Sequence, residues 1–190
     1  VVFIYTFEKF RPEMKLTDED LDSFFGPTLY QTFSRHSDDE KEIEEMIKYY
    51  RAFNEPNHDN LAKPFPGAKE LLKTLHKKGY KLGVISSKKN GLLVHGLEHF
   101  GLAEYLDIII GSDDVKNHKP APDGIYLAKE KLNSKNILYV GDTLMDIETA
   151  RNASVKSVGC LYIDHPEIML EAKPDYVISN LSEILKILGE

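Results

Sequence analysis

Asn136-Ile137-Leu138-Tyr139-Val140-Gly141-Asp142-Thr143-Leu144-Met145-Asp146 is the stretch that decides the fold. Ile137 to Val140 is an apolar run without polar alternation, the pattern of a parallel strand covered by helices on both faces. The strand ends at Gly141, and Asp142 and Asp146 follow before the helix-like run Ile147 to Ala153. Carboxylates at the carboxyl end of a parallel strand lie where open α/β sheets bind ligands. Two hard oxygen donors there suit Mg²⁺, which takes one or two protein carboxylates and fills its shell with waters and substrate oxygens. The plainer reading is that Asp146 only N-caps the next helix while Asp142 sits in a solvated turn.

Outward from this stretch, the chain divides into two textures. Residues 1–63 read as helical. Phe3, Phe7 and Phe10 repeat at helical spacing until Pro12, Thr17-Asp18-Glu19-Asp20 opens a second helix as a capping box, and Gly26-Pro27-Thr28-Leu29 turns into a third. Ser37-Asp38-Asp39-Glu40 then caps a long amphipathic stretch through Ile43, Met46, Ile47 and Tyr50. Its aromatic stripes read as helix-packing core, and the segment as an all-α cap.

Pro64-Phe65-Pro66-Gly67 punctuates the chain, and residues 64–190 alternate strands with helices. Strands are expected at 80–86, 107–111, 136–140, 157–163 and 176–179, and helices at 68–78, 92–100, 123–132, 146–153 and 181–188. Such alternation predicts an α/β core with a doubly wound, mostly parallel, Rossmannoid sheet.

Composition narrows the function. A net charge of −7 and a pI near 5.5 argue against nucleic acid or an anionic membrane as partner, since either wants a basic footprint. No apolar run approaches the ~20 residues that span a bilayer. The single cysteine, Cys160, lies in an apolar run and reads as a buried small hydrophobe, so no disulfide forms within the chain, which fits a reducing cytoplasm. The chain opens on Val1 without an initiator Met and is read as a fragment or a processed product.

Three strand ends carry polar residues of different kinds. Ser86-Ser87-Lys88 offers hydroxyls and backbone N–H groups to an anion. Lys119, ahead of Pro120 and Pro122, is presented from a stiffened loop, and Asp142 and Asp146 follow the third strand. Singly these are a turn residue, a surface cation and caps. On successive strands they describe a site for a phosphate ester with Mg²⁺.

Ser86, Lys119-Pro120-x-Pro122 and Gly141-Asp142-x-x-x-Asp146 resemble the second, third and fourth motifs of the haloacid dehalogenase (HAD) superfamily. Pro66-Gly67, Ser112-Asp113-Asp114-Val115 and the helical first third, with Gly26-Pro27-Thr28-Leu29, are similar to its phosphoglycolate phosphatase and pyrophosphatase branch. The resemblance implies a cytoplasmic phosphatase of a small phosphorylated metabolite working through an aspartyl-phosphate. By carry-over, Ser86 binds the phosphoryl group; Ser87, from the strand-end reading, and Lys119 are expected to bind it as well. Lys119 also offsets charge during transfer, Asp142 ligates Mg²⁺, and Asp146 holds a metal-bound water. Lys119 and Asp142 are thus the catalytic pair within this sequence.

The family's first motif, D-x-D-G-T at the end of an apolar strand, is not found in residues 1–190. The nucleophile, its acid/base partner and one Mg²⁺ ligand are then missing as well. In the resembling fold that strand lies between those at 80–86 and 136–140. These two are therefore expected either to stand about 9 to 10 Å apart or to close up and pair. A catalytically dead relative that binds a phosphorylated ligand or a protein partner is the alternative. A dinucleotide-binding domain is disfavoured, because no G-x-G-x-x-G follows a strand.

Overall fold

The computed structural model describes residues 1–162 and 166–190, and these form two compact units, Val1–Lys63 and Pro64–Glu190. The first is all helical: α1 (Val2–Phe10), α2 (Asp18–Ser23), α3 (Leu29–Phe33) and α4 (Glu40–Leu61). Thr17 and Thr28 each close a capping box, with Asp20 and Gln31 as reciprocal partners. The cap of α4 is Asp39, whose carboxylate accepts the Lys41 N–H at 3.0 Å. Phe7, Phe24, Phe33, Ile43 and Met46 fill the centre, with Phe7 stacked on Phe24 at 5.1 Å. Arg11 ties the end of α1 to α4 through both oxygens of Glu42, each at 2.7 Å, and donates to the His36 carbonyl at 2.8 Å.

The second unit runs α5 (Ala68–Lys77), β1 (Gly83–Ile85), α6 (Asn90–His99), β2 (Ile108–Ile110), α7 (Asp123–Lys131), β3 (Leu138–Gly141), α8 (Leu144–Asn152), β4 (Lys156–Cys160), α9 (Pro166–Glu171), β5 (Tyr176–Ile178) and α10 (Glu183–Ile187). Single 3-10 turns occupy Ala103–Tyr105 and Ser112–Asp114. Every strand pair is parallel, as helical crossovers require.

Strand pairing falls into two sheets, β1-β2 and β3-β4-β5. β1 and β3 share the same two hydrophobic clusters without being paired. Leu82 and Leu138 pack against the cluster of Leu71, Leu75, Val158, Cys160, Ile178 and Ile184, whereas Ile85 and Ile137 pack against Ile125, Tyr139, Ala150 and Ala153. Alternate side chains of a strand point to opposite faces, so these clusters cover the two faces of one slab. The strands at 80–86 and 136–140 therefore do not close up and pair directly.

The strands are shorter than their apolar runs suggest, for a visible reason at the amino ends. Asp107 stands opposite Leu82, takes its N–H on Oδ2 at 2.9 Å and binds Lys81 Nζ at 2.8 Å. Asp175 repeats the device opposite Ser157. Its Oδ2 takes the Ser157 N–H at 2.9 Å and hydroxyl at 3.1 Å, and its Oδ1 pairs with Lys156. A carboxylate just before the second strand thus staples the first. The helix α9 was not expected from sequence, and the last residue of the strand expected at 157–163, Ile163, lies outside the described residues.

Candidate active site

The helix after β3 starts at Leu144, two residues before the expected start, because Thr143 and not Asp146 is its N-cap. Asp146 is instead the third helical residue and the reciprocal half of a capping box. Its Oδ2 accepts from the Thr143 N–H at 3.2 Å and the Thr143 hydroxyl at 2.7 Å. Its Oδ1 accepts from Lys119 Nζ at 2.8 Å and from the Tyr139 hydroxyl at 3.3 Å. Four donors therefore occupy the roughly four lone-pair positions of a carboxylate. Capping and site chemistry are not alternatives for Asp146, since different oxygens serve them.

Gly141 makes this approach possible. A Cβ on Gly141 would lie 2.2 Å from the Asp146 Cβ and 2.6 Å from its Cγ, so any side chain there would drive the carboxylate away. The Lys119–Asp146 ion pair is well shielded, with side-chain exposures of 12% and 7%. Burial raises the pKa of the Tyr139 phenol, with the Asp146 charge adding to it, so Tyr139 remains a proton donor.

Asp142 is different. It is open to solvent but flanked by enough protein that desolvation raises its carboxyl pKa, and the charge of Asp146 raises it further. Lys119 and Lys88 pull the other way. Its environment thus disfavours the carboxylate until a cation joins it. The two acids fit Mg²⁺ in different ways. Asp142 has an exposed carboxylate whose charge a divalent cation would stabilise, while Asp146 is saturated and reaches a metal only through water or by exchanging a donor. Among the described residues no cluster of three or more His, Cys, Asp or Glu is poised for a metal.

Ser86 directly follows β1, donating its N–H to the Ile110 carbonyl at 2.9 Å, and its Oγ accepts the Lys88 N–H at 3.2 Å. Ser87 is half-buried between them. The loop after β2 braces this segment. Asp113 takes the Asn90 N–H at 2.7 Å, Asp114 takes the Gly111 N–H at 2.7 Å and the Asn90 side-chain amide, and Ser112 N–H donates to the Lys88 carbonyl at 2.8 Å. The structure therefore brings Lys119 and Asp146 into contact and places Asp142 within electrostatic range of both. Ser86 joins them through Lys88, two residues along. Sequence reasoning missed Tyr139, although a buried tyrosine in an apolar strand signals a hydroxyl in need of a partner. It also missed the bracing by Asp113 and Asp114, whose partner Asn90 is far away in sequence.

Parallel strands alternate with helices, and their carboxyl ends gather hydroxyls, a shielded lysine and two acids, which is the arrangement of an open α/β fold with its ligand site at one sheet edge. The description of haloacid dehalogenase-like hydrolases matches residues 1–160, and the chain belongs to that family. It is similar to the pyrophosphatase PpaX of Listeria monocytogenes serotype 4b, with 34% identity over 99% of this chain and 87% of the relative. It is also similar to the pyrophosphatase PpaX of Halalkalibacterium halodurans, with 36% identity over 98% and 87%. Among solved structures, a predicted phosphatase from Clostridium acetobutylicum superimposes with a TM-score of 0.82 at 30% identity, covering 98% of this chain and 88% of its own. No helix among the described residues is long and apolar enough to cross a membrane.

Proposed function

We propose that this protein is a Mg²⁺-dependent cytoplasmic phosphatase that hydrolyses pyrophosphate or a small phosphate ester through an aspartyl-phosphate. The observation that carries the reading is the shielded Lys119–Asp146 pair beside the solvent-open Asp142. Phosphoryl transfer depends on positioning and charge neutralisation, which is what these groups offer. Ser86 and Ser87 orient the phosphoryl oxygens. Lys119, held by Asp146, offsets charge that develops as the phosphoryl group moves. Asp142 would hold Mg²⁺ directly, and Asp146, positioned by Tyr139 and Thr143, would order a water beside it by releasing one of its four donors. Bound Mg²⁺ supplies Lewis-acid neutralisation of the phosphoryl oxygens.

The nucleophilic carboxylate belongs to a strand seated between β1 and β3. This is supported by the two sheets sharing both clusters while those strands remain unpaired with each other. Residues 1–63 are the helical cap in this reading.

The test is phosphate release from pyrophosphate and from phenyl phosphate, with and without Mg²⁺, by a form that carries such a strand. Mg²⁺-dependent turnover that Asp142→Asn abolishes, while circular dichroism shows the fold intact, is expected. Full turnover in EDTA would overturn the metal role, and no turnover of either substrate would overturn the phosphatase reading.

A further inference from the structure

Ser86 can serve a phosphoryl group only if its hydroxyl is aimed, and backbone outside its own strand sets that aim. Its Oγ accepts the Lys88 N–H at 3.2 Å. A hydroxyl has one O–H and two lone pairs, so the lone pair given to that N–H fixes the oxygen and leaves the O–H to donate. The turn that presents the N–H is itself held, because the Lys88 carbonyl accepts the Ser112 N–H at 2.8 Å.

The Ser112 side of that bond is fixed by Asn90, the first residue of α6. The Asn90 N–H donates to Asp113 Oδ1 at 2.7 Å, and its side-chain amide donates to the Ile109 carbonyl at 3.3 Å and to Asp114 Oδ2. The same Asp114 oxygen accepts the Gly111 N–H at 2.7 Å. One residue therefore ties the end of β2 and both acids of the following loop to the start of α6. The approach is close. A Cβ on Gly111 would lie 2.3 Å from the Asn90 nitrogen and 2.6 Å from its Cα, so glycine is what lets the two segments meet. Asparagine suits this place because its amide has two N–H groups, enough for a carbonyl and a carboxylate together, whereas an aspartate there would set like charges side by side.

We propose that Asn90 is the positioning residue of the phosphate-binding turn, holding loop 111–114 against residues 86–88 and so aiming the Ser86 hydroxyl at the phosphoryl oxygens. This rests on the phosphatase reading for the role of Ser86 and adds a residue that acts on substrate only through it. A hydroxyl that holds those oxygens equally in the ground and transition states moves KM and leaves kcat nearly unchanged. Loss of Asn90 therefore carries the same signature as loss of Ser86, in weaker form, because the hydroxyl remains but is no longer held in place.

The experiment measures KM and kcat for phenyl phosphate, and inorganic phosphate affinity by phosphorus NMR titration with Mg²⁺, in the strand-bearing form. Wild type, Asn90→Ala, Ser86→Ala and the double variant are compared. Ser86→Ala is expected to weaken phosphate binding about 10-fold, the scale of one hydrogen bond to a charged group. Asn90→Ala is expected to raise KM and weaken phosphate about 5-fold with kcat within about 2-fold, and to cost under about 2-fold more once Ser86 is alanine. Asp114→Ala removes, at an exposed position, the acceptor that Asn90 and Gly111 share, and should reproduce the Asn90→Ala result. It takes the place of Asn90→Ala if that variant does not fold. A general loosening of the fold lowers the active fraction, so kcat falls while KM and phosphate affinity stay, and that outcome overturns the proposal. An Asn90→Ala effect undiminished in the Ser86→Ala background, or a wild type that binds no phosphate, overturns it too. A wild type that binds phosphate but turns over neither pyrophosphate nor phenyl phosphate overturns the phosphatase reading, and the phosphate titrations still decide the role of Asn90.

Discussion

Replacing Lys119 with methionine removes the charge while nearly preserving the stem. The ammonium lies 2.8 Å from Asp146, and the two side chains are 12% and 7% exposed, so solvent cannot take its place. Removing one partner of a buried pair costs about 3 to 5 kcal/mol, because the remaining charge stays buried. Asp146 keeps three other donors, the Thr143 N–H, the Thr143 hydroxyl and the Tyr139 hydroxyl, which places the cost near the lower end, about 3 kcal/mol. At about 2 to 4 °C per kcal/mol for a chain of this size, Tm should fall by about 6 to 12 °C. Thermal and guanidinium unfolding of Lys119→Met, Asp146→Asn and the double variant complete the cycle, with an expected coupling of about 2 to 3 kcal/mol. Additive single effects, or a Lys119→Met Tm within about 2 °C of wild type, would refute the view that this pair is a shielded, mutually dependent unit.

Gly141→Ala should cost about 1 to 3 kcal/mol in urea unfolding and lower turnover, because its Cβ would lie 2.2 Å from that of Asp146. Asp142→Asn should raise Tm without Mg²⁺ at pH 7 and abolish the further rise on adding Mg²⁺. The fold raises this carboxyl's pKa and so favours its protonated form, and stability falls as pH climbs from the unfolded value through the folded one, a loss the amide removes. Asp175 works in the opposite sense. Lys156 and then the Ser157 N–H hold its carboxyl down to about 2 from 3.8, so its contribution is present above about pH 4 and lost as pH falls towards 2. Asp175→Asn should flatten the acid limb of urea midpoints over that window.

The order of elements was legible because Ile108-Ile109-Ile110 and Leu138-Tyr139-Val140 are apolar runs between Gly-punctuated helices. Their lengths were not, since Asp107 and Asp175 replace ladder partners with side chains, and hydrophobicity does not report where a carboxylate intercepts an N–H. The start of α8 was readable in Thr143-x-x-Asp146, a capping box that the search for metal ligands hid. The six-residue α9 offers too short a period to distinguish it from loop. Ser86, Asp142 and Asp146 could be singled out because they come after apolar runs, and Lys119 because Pro120 and Pro122 follow it in its loop. Which acid faces water and which is saturated depends on Tyr139 and Thr143, and that emerges only once the chain has folded.

The two carboxylate staples sit where β1-β2 and β4-β5 begin, at the ends of the strands away from Ser86 and Asp142. Both sheets are thereby polarised, with lysine–aspartate anchorage at one end of their strands and the proposed phosphoryl site at the other. Substitutions at Lys81, Asp107, Lys156 or Asp175 can retune tolerance to acid and salt without altering a group that meets substrate. An engineer seeking a hardier protein has these four positions to vary first.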